Sequence, residues 1–227
     1  SEGRKANPDW LLSFFNNPSI IRPNLQVKMP SFHQISDEEW DAIIAYFQHV
    51  DSENINYRGI HQFDPESMEF AAGAKLHEIG QCNSCHFYGE EFPTGDAPTW
   101  APNLALTKER LNPGWVTEWL KNPGAIMPGT KMPAPYVPDS EILSMEGAEN
   151  DWGKALIAIN GDTTTMLDGL RDYLWDIKGP TNIDALVKAY FAENGYDFDS
   201  ETGDDYEDGD DDWDDDDWGD EDEDEDW

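Results

Sequence analysis

The chain contains only two cysteines, and they lie three positions apart with a histidine directly after the second. Residues 82–86 read Cys-Asn-Ser-Cys-His, the spacing at which two thiols form thioethers with one haem and the histidine binds its iron. A thioredoxin-like redox pair and half of a zinc site are the alternatives. The redox pair normally follows a strand in a βαβ unit, and zinc needs a second Cys or His pair at short spacing. Covalent haem attachment through Cys82, Cys85 and His86 is therefore the favoured interpretation.

The iron of such a haem needs either a second axial ligand or an open position, and the chain has six methionines. Met132 is the first choice because it lies in residues 129–133 (Gly-Thr-Lys-Met-Pro), an irregular loop that can lay a side chain against a flat ring. His/Met ligation favours ferrous iron and raises the potential. Met127 is the second choice, and His77 is a weaker one because it precedes the attachment site on the same predicted helix. Three other methionines are expected to be core packing: Met68, Met145 and Met166.

Further short elements follow the attachment motif: residues 101–104 (Ala-Pro-Asn-Leu), Trp115, Trp119 with Leu120, and residues 131–133 (Lys-Met-Pro). In this order they resemble a class I c-type cytochrome over residues 64–178. The resemblance implies a cytochrome c fold around one covalent haem c, with His86 and Met132 on the iron and Trp115 beside the cofactor. It also implies that the backbone carbonyl of Pro102 fixes the His86 ring. The chain departs from the family at residues 134–162, which we expect to enlarge the loop on the Met132 side.

The wider pattern predicts an all-α fold. Asp64 and Pro65 carry the signals of a helix start, and apolar residues at helical spacing, including Met68, then lead to the motif. Another helix is predicted to begin at Asn112 and Pro113. Two more are predicted at residues 167–177 and from Ile183 to near Gly195. Short helices around a flat apolar ring give a chain of this size a core, since the porphyrin itself supplies buried surface.

An internal repeat precedes the motif. At an offset of 105, residues 7–10 (Asn-Pro-Asp-Trp) match 112–115 (Asn-Pro-Gly-Trp), and 14–18 (Phe-Phe-Asn-Asn-Pro) match 119–123 (Trp-Leu-Lys-Asn-Pro). Residues 28–30 (Lys-Met-Pro) match 131–133 after a two-residue difference. A capping box at Ser36 and Glu39 then opens a helix with Trp40, Ile43, Ile44 and Phe47 on one face. Residues 1–50 thus resemble the second half of another cytochrome c domain, without its attachment site.

The repeat leads to a division of the chain into four parts. They are a half-repeat (residues 1–50), a linker (51–63), a main domain (64–195) and an acidic tail (196–227). For the half-repeat two explanations stay open: an attachment site upstream or on a neighbouring chain with Met29 as its ligand, or a degenerate repeat in which Met29 only packs. The chain begins without Met or an apolar signal region, so we expect it to be processed or a piece of something longer. Trp10, Phe14 and Phe47 need cover from the main domain or a partner, which favours a subunit of an assembly.

Charge limits the classes of partner. The net charge is −35, and 18 of the 49 acidic residues lie in the last 24 positions, which contain no Lys or Arg. Nucleic-acid binding is not expected, because it needs clustered positive charge. No uncharged apolar run approaches the ~18 residues of a membrane span. The tail has too little apolar surface to offset chain entropy and is expected to be disordered, although its acids and tryptophans can also dock on a basic redox partner.

Electron transfer is the first functional hypothesis. The chain resembles cytochrome c subunits of bacterial respiratory or photosynthetic electron-transfer complexes, so it would act as a component of an oxidoreductase complex, with the electron donor and acceptor left open. A haem enzyme or gas sensor is the alternative, and it requires an open iron position. A structural interaction module is the third. Because thioether attachment takes place on the outer side of an energy-converting membrane, the resemblance implies a periplasmic or equivalent location.

Overall fold

A computed structural model of the chain describes residues 2–25, 28–51 and 61–195, and these residues form an all-α structure with no strand beyond isolated bridges. The proposed tail and most of the linker lie outside the described residues. No helix in the described part is long and apolar enough to cross a membrane. The helices are α1 (Glu2–Lys5), α2 (Pro8–Asn16), α3 (Asp37–Val50), α4 (Met68–Ile79), α5 (Thr107–Arg110), α6 (Pro113–Lys121), α7 (Pro123–Ile126), α8 (Ser140–Leu143), α9 (Ala148–Ile159), α10 (Thr163–Asp176) and α11 (Asp184–Glu193).

The main domain is built on the crossing of α4 and α10. A Cβ atom on Gly73 would lie 2.0 Å from the carbonyl oxygen of Gly169, and one on Gly169 would lie 1.9 Å from the carbonyl oxygen of Glu69. The two backbones therefore touch, and glycine is the residue that allows it. Around this contact lies the largest apolar core, which includes Ala72, Leu76, Leu104, Val116, Leu120, Leu156, Met166, Leu167, Leu170 and Trp175.

Helix α4 begins later than the sequence predicts. Its N-cap is Ser67, whose hydroxyl accepts a hydrogen bond from the Phe70 N–H at 3.1 Å. Asp64 instead stabilises the turn before the helix, because its carboxylate accepts from the Glu66 N–H at 2.9 Å. Met68 is 50% exposed, so its predicted place on the buried face of α4 was wrong.

Of the three methionines expected to pack in the core, Met166 is fully buried, whereas Met68 and Met145 are 50% and 64% exposed. The prediction is confirmed for Met166 and was wrong for the other two.

Residues 134–162, expected to form an enlarged loop, contain helices α8 and α9. Helix α9 packs on α4, and its Leu156 is fully buried in the core. Gly153 has a φ of 76° and interrupts the helix, which breaks the apolar periodicity that a sequence search relies on.

The remaining helix of the main domain, α11, carries its own small core. Val187 and Phe191 pack with Phe87, Trp100 and Ile183. Since Phe87 directly follows the cysteine motif, this cluster fixes the far end of the motif against the C-terminal helix.

The half-repeat reproduces part of the main domain. Helices α2 and α6 have nine residues each, begin with a proline and are capped by Asn7 and Asn112, whose side chains accept from the N–H groups of Asp9 and Gly114. Their C-caps, Asn17 and Asn122, have φ values of −143° and −157° and the same ψ of 79°. The matched sequences therefore form matched structures.

The two copies meet through equivalent residues. Ala6 forms an antiparallel bridge with Leu111, its own counterpart at the offset of 105. On either side, the Asn7 N–H donates to the Arg110 carbonyl at 2.7 Å and the Asn112 N–H donates to the Lys5 carbonyl at 2.8 Å. This is a local two-fold arrangement within one chain.

Two cation–π contacts follow the same two-fold arrangement. Lys5 lies over Trp115 at 5.7 Å and Arg110 lies over Trp10 at 5.3 Å from the ring centroids. The main domain thus covers part of the half-repeat, and Trp10, Phe14 and Phe47 are half-buried rather than exposed.

Candidate functional site

The cysteine motif forms a tight turn at the end of α4. Gln81 takes a left-handed conformation with a φ of 47°, and a 3-10 turn follows at Cys82–Ser84. The carbonyl oxygen of Cys82 accepts from the N–H groups of Cys85 at 3.3 Å and His86 at 3.0 Å. Both cysteines are free thiols, and burial raises the pKa of Cys82. The turn thus carries two unpaired thiols on the chain segment that leads into His86.

A second segment holds the histidine. His86 forms a parallel bridge with Ala101, and the Ala101 N–H donates to the Cys85 carbonyl at 2.7 Å. In this register His86 Nδ1 lies 2.7 Å from the carbonyl oxygen of Pro102 and donates its hydrogen to it. This is the contact that the resemblance implied for Pro102.

The hydrogen bond also fixes the chemical state of the ring. With the proton on Nδ1, Nε2 has the lone pair that a metal ligand needs. Burial lowers the pKa of His86 and thereby favours the neutral imidazole, while the bond to Pro102 acts in the opposite direction.

Asn103 connects the two segments to the rest of the domain. It is 5% exposed, and its side-chain oxygen accepts from the N–H groups of Gly89 at 2.9 Å and Ala105 at 3.1 Å. Its amide nitrogen donates to the carbonyl of Pro180 at 2.9 Å, just before α11. Sequence reasoning included Asn103 in the Pro-Asn-Leu element but gave it no role. A buried amide with several backbone partners is visible only once the loops are placed.

Met132 is held by a tryptophan. The indole N–H of Trp119 donates to the Met132 sulfur at 2.9 Å. Trp119 stacks on Trp115, with ring centroids 5.2 Å apart and an interplanar angle of 16°. Trp119 is thus the hydrogen-bond partner of Met132, whereas the resemblance implied a place beside the cofactor for Trp115 and no role for Trp119. Their positions four residues apart on α6 are a signal for the stacking but not for the bond to sulfur.

The other candidate ligands have different surroundings. The sulfur of Met127 lies 3.8 Å from the Arg22 guanidinium, its counterpart in the half-repeat at the offset of 105. His77 hydrogen bonds through Nε2 to the Tyr88 hydroxyl and packs 4.7 Å from the ring of Tyr173. Burial, followed by the nearby His86, lowers the pKa of His77.

Cys82 and Met132 pack against the same apolar core, together with Trp119. The chain therefore brings one cysteine of the motif and the first-choice methionine to one cluster, although they are 50 residues apart. Within the described ranges no group of three or more His, Cys, Asp and Glu residues is arranged to hold a metal ion. The half-zinc alternative thus gains no additional ligands there.

A separate cleft of about 560 Å³ lies between the half-repeat and the main domain. Its walls include Trp10, Phe14, Glu109 and Asn182, and no cysteine, histidine or methionine. The cleft is therefore distinct from the cysteine motif and from Met132.

Comparison with known proteins leaves the geometry as the basis for interpretation. No family model, curated protein or solved structure matches this chain.

Proposed function

We propose that the chain is a one-electron carrier with a single covalently attached c-type haem. The observation that carries the proposal is the hydrogen bond from His86 Nδ1 to the Pro102 carbonyl, next to two free thiols in the C-x-x-C-H spacing. A redox dithiol does not need an adjacent histidine held in one tautomer, whereas an iron ligand does. The donor set therefore fits a haem better than it fits the alternatives.

Met132 is the proposed second ligand. A thioether sulfur has two lone pairs, and the Trp119 N–H donates to one of them and so orients the side chain. The bound haem would supply reversible one-electron chemistry at a potential set by its ligands and burial. Cys82, Cys85, His86 and Met132 would hold and orient the haem. Trp119, stacked on Trp115, would shield the Met132 sulfur from water.

The setting of the carrier is part of the proposal. Thioether attachment implies the periplasm or the outer face of an energy-converting membrane. The net charge of −35 favours a redox partner with a basic face, and association should weaken with salt. The exposed side chains of Tyr46 and Val50 on the half-repeat support a subunit of a membrane electron-transfer complex rather than a freely diffusing protein.

The test is production of the full chain with a c-type haem maturation system, followed by mass and visible spectra. We expect one haem per chain. Cys82→Ala and Cys85→Ala should each leave one thioether, the double variant should leave none, and His86→Ala should lose the normal iron ligation. His77→Ala is the matched control and should keep both attachment and ligation.

Carbon monoxide separates the carrier from the alternative of an open haem enzyme or gas sensor. The reduced spectrum of the haem-bearing chain without substitutions should not change when carbon monoxide is added. Met132→Leu should open the iron and allow rapid binding, whereas Met127→Leu should behave like the unmodified chain. Absence of attached haem would overturn the proposal, and carbon monoxide binding by the unmodified chain would move the assignment to the alternative.

A further inference from the structure

One face of α3 is apolar and bare. Tyr46 is 64% exposed and Val50 is 58% exposed, and Ala42 lies one turn before Tyr46 on the same side. The opposite face carries Trp40 and Ile44, which are buried, and packs on α1 and α2. Among the described residues, helix α3 is therefore covered on one side only.

The bare face has a covered counterpart in the main domain. Residues 40–47 (Trp-Asp-Ala-Ile-Ile-Ala-Tyr-Phe) align with residues 167–174 (Leu-Asp-Gly-Leu-Arg-Asp-Tyr-Leu) of α10. In this register Ala42 corresponds to Gly169 and Tyr46 corresponds to Tyr173. Gly169 is the point where α4 crosses, and Tyr173 packs against Phe70 of α4 with ring centroids 5.6 Å apart.

The surroundings of the two helices match as well. Helix α10 packs on α5 and α6, and α3 packs on α1 and α2, which are their counterparts. The other side of α10 is filled by α4. In the described part of the chain nothing equivalent to α4 lies on α3.

We propose that the face of α3 formed by Ala42, Tyr46 and Val50 docks a helix of the α4 type that the described residues do not supply. Such a helix is amphipathic, has a glycine at the crossing and an aromatic residue about one turn away, as Gly73 and Phe70 are placed in α4. Ala42 replaces Gly169, so we expect the same crossing at a slightly larger separation. A second copy of this chain is a poorer occupant, because exposed Glu38 and Asp41 border the face and each copy has a net charge of −35.

The identity of the partner deepens the proposed function. Helix α4 leads directly into the attachment motif, and by the same repeat the docked helix would lead into a second haem attachment site, for which Met29 would be a ligand. This last step rests on the proposed function, whereas the docking itself does not.

The test uses a fluorescent peptide of residues 64–81, which contains α4 and stops before Cys82, added to the full chain. We expect saturable binding by anisotropy. Tyr46→Asp should weaken it by about tenfold or more, because a carboxylate would be buried without a partner. Tyr136→Asp is the matched control, since Tyr136 is 56% exposed and lies in the main domain. Circular dichroism should show both variants folded, since each replaces an exposed side chain.

A peptide with Gly73→Leu distinguishes binding by a helix crossing from nonspecific apolar binding. The crossing requires this peptide to bind more weakly, whereas nonspecific apolar contact would make it bind equally or more tightly. Absence of saturable binding, or binding that tolerates both Tyr46→Asp and Gly73→Leu, would overturn the proposal. A homodimer that Tyr46→Asp dissociates in light scattering would assign the face to a second copy and also overturn it. The peptide lacks cysteine, so the result is independent of haem attachment.

Discussion

Helices α2 and α3 of the half-repeat correspond to α6 and α10 of the main domain, and α2 and α6 have the same asparagine caps. Among the residues that the structure describes, however, only the main domain has a helix across its long helix. In the main domain α4 crosses α10 at Gly73 and Gly169 and delivers the chain to the cysteine motif. In the half-repeat the corresponding side of α3 is bare. Local sequence therefore suffices to form and cap the helix pair, whereas the closed core of the main domain depends on one long-range helix.

The largest expected effect comes from a matched pair of substitutions at equivalent positions. Gly169→Leu places atoms where even a Cβ would lie 1.9 Å from the Glu69 carbonyl oxygen, so we expect a loss of about 3 kcal/mol or more in unfolding free energy. Ala42→Leu adds atoms to an open face and should change it by less than about 0.5 kcal/mol. Urea unfolding of the full chain measures both. Equal losses would show that α3 is already covered.

The two-fold contact between the copies gives the next effect. Burial lowers the pKa of Arg110 to about 10 and also lowers the pKa of Lys5, so both cations are partly desolvated over their tryptophans. Double-mutant cycles of Arg110→Met with Trp10→Ala, and of Lys5→Met with Trp115→Ala, should each give a coupling of about 0.5–2 kcal/mol. A coupling in one pair and none in the other would show that the two cation–π contacts are not equivalent in energy.

Substitutions at the caps of α2 and α6 test whether the two caps, which have the same geometry, also contribute equally to the unfolding free energy. Asn7→Ala and Asn112→Ala should each cost about 1 kcal/mol, since each removes the side-chain acceptor for one N–H group at the helix start. Thermal unfolding measures the two losses. Lys121→Ala, at the exposed end of α6, is the control. A large difference between the two cap variants would mean that tertiary contacts, rather than local sequence, hold one of these helices.

The smallest expected effect is a difference between α3 and α10 in how the stability contributed by the N-cap depends on pH. Asp162 caps α10, and hydrogen bonds from the Thr165 backbone and hydroxyl hold its pKa below the ordinary value of 3.8. Its ionised form therefore contributes stability above pH 3.8, and this contribution disappears as the pH falls through the lower folded pKa. Ser36 caps α3 and does not titrate. The loss in unfolding free energy caused by Asp162→Ala should be smaller at pH 3 than at pH 5, because the protonated carboxyl no longer contributes its ionised cap. The loss caused by Ser36→Ala should not become smaller in the same way.

Several features of the fold could be predicted because they depend on neighbours in sequence. The capping box at Ser36 and Glu39 and the cap at Asn112 are present as the sequence predicted. Helix α9 was missed because Gly153 interrupts its periodicity. The start of α4 was misplaced because Asp64 and Pro65 also suit a turn, and nearby Ser67 is a competing cap.

Some features of the candidate site could likewise be predicted and others could not. The turn of the cysteine motif follows from local spacing, and the contact between His86 and Pro102 was implied by the family resemblance. The bond from Trp119 to Met132 and the backbone contacts of Asn103 join distant loops, so no local pattern indicates them. The haem that these residues would hold stays a prediction.

The most direct test of the account is an equilibrium redox titration of the full chain after haem maturation, with haem content per chain and spectra recorded with and without carbon monoxide. The account predicts one haem, a single one-electron wave and a reduced spectrum that carbon monoxide does not alter. A chain that attaches no haem, or whose reduced haem binds carbon monoxide rapidly, would contradict an electron carrier closed by His86 and Met132.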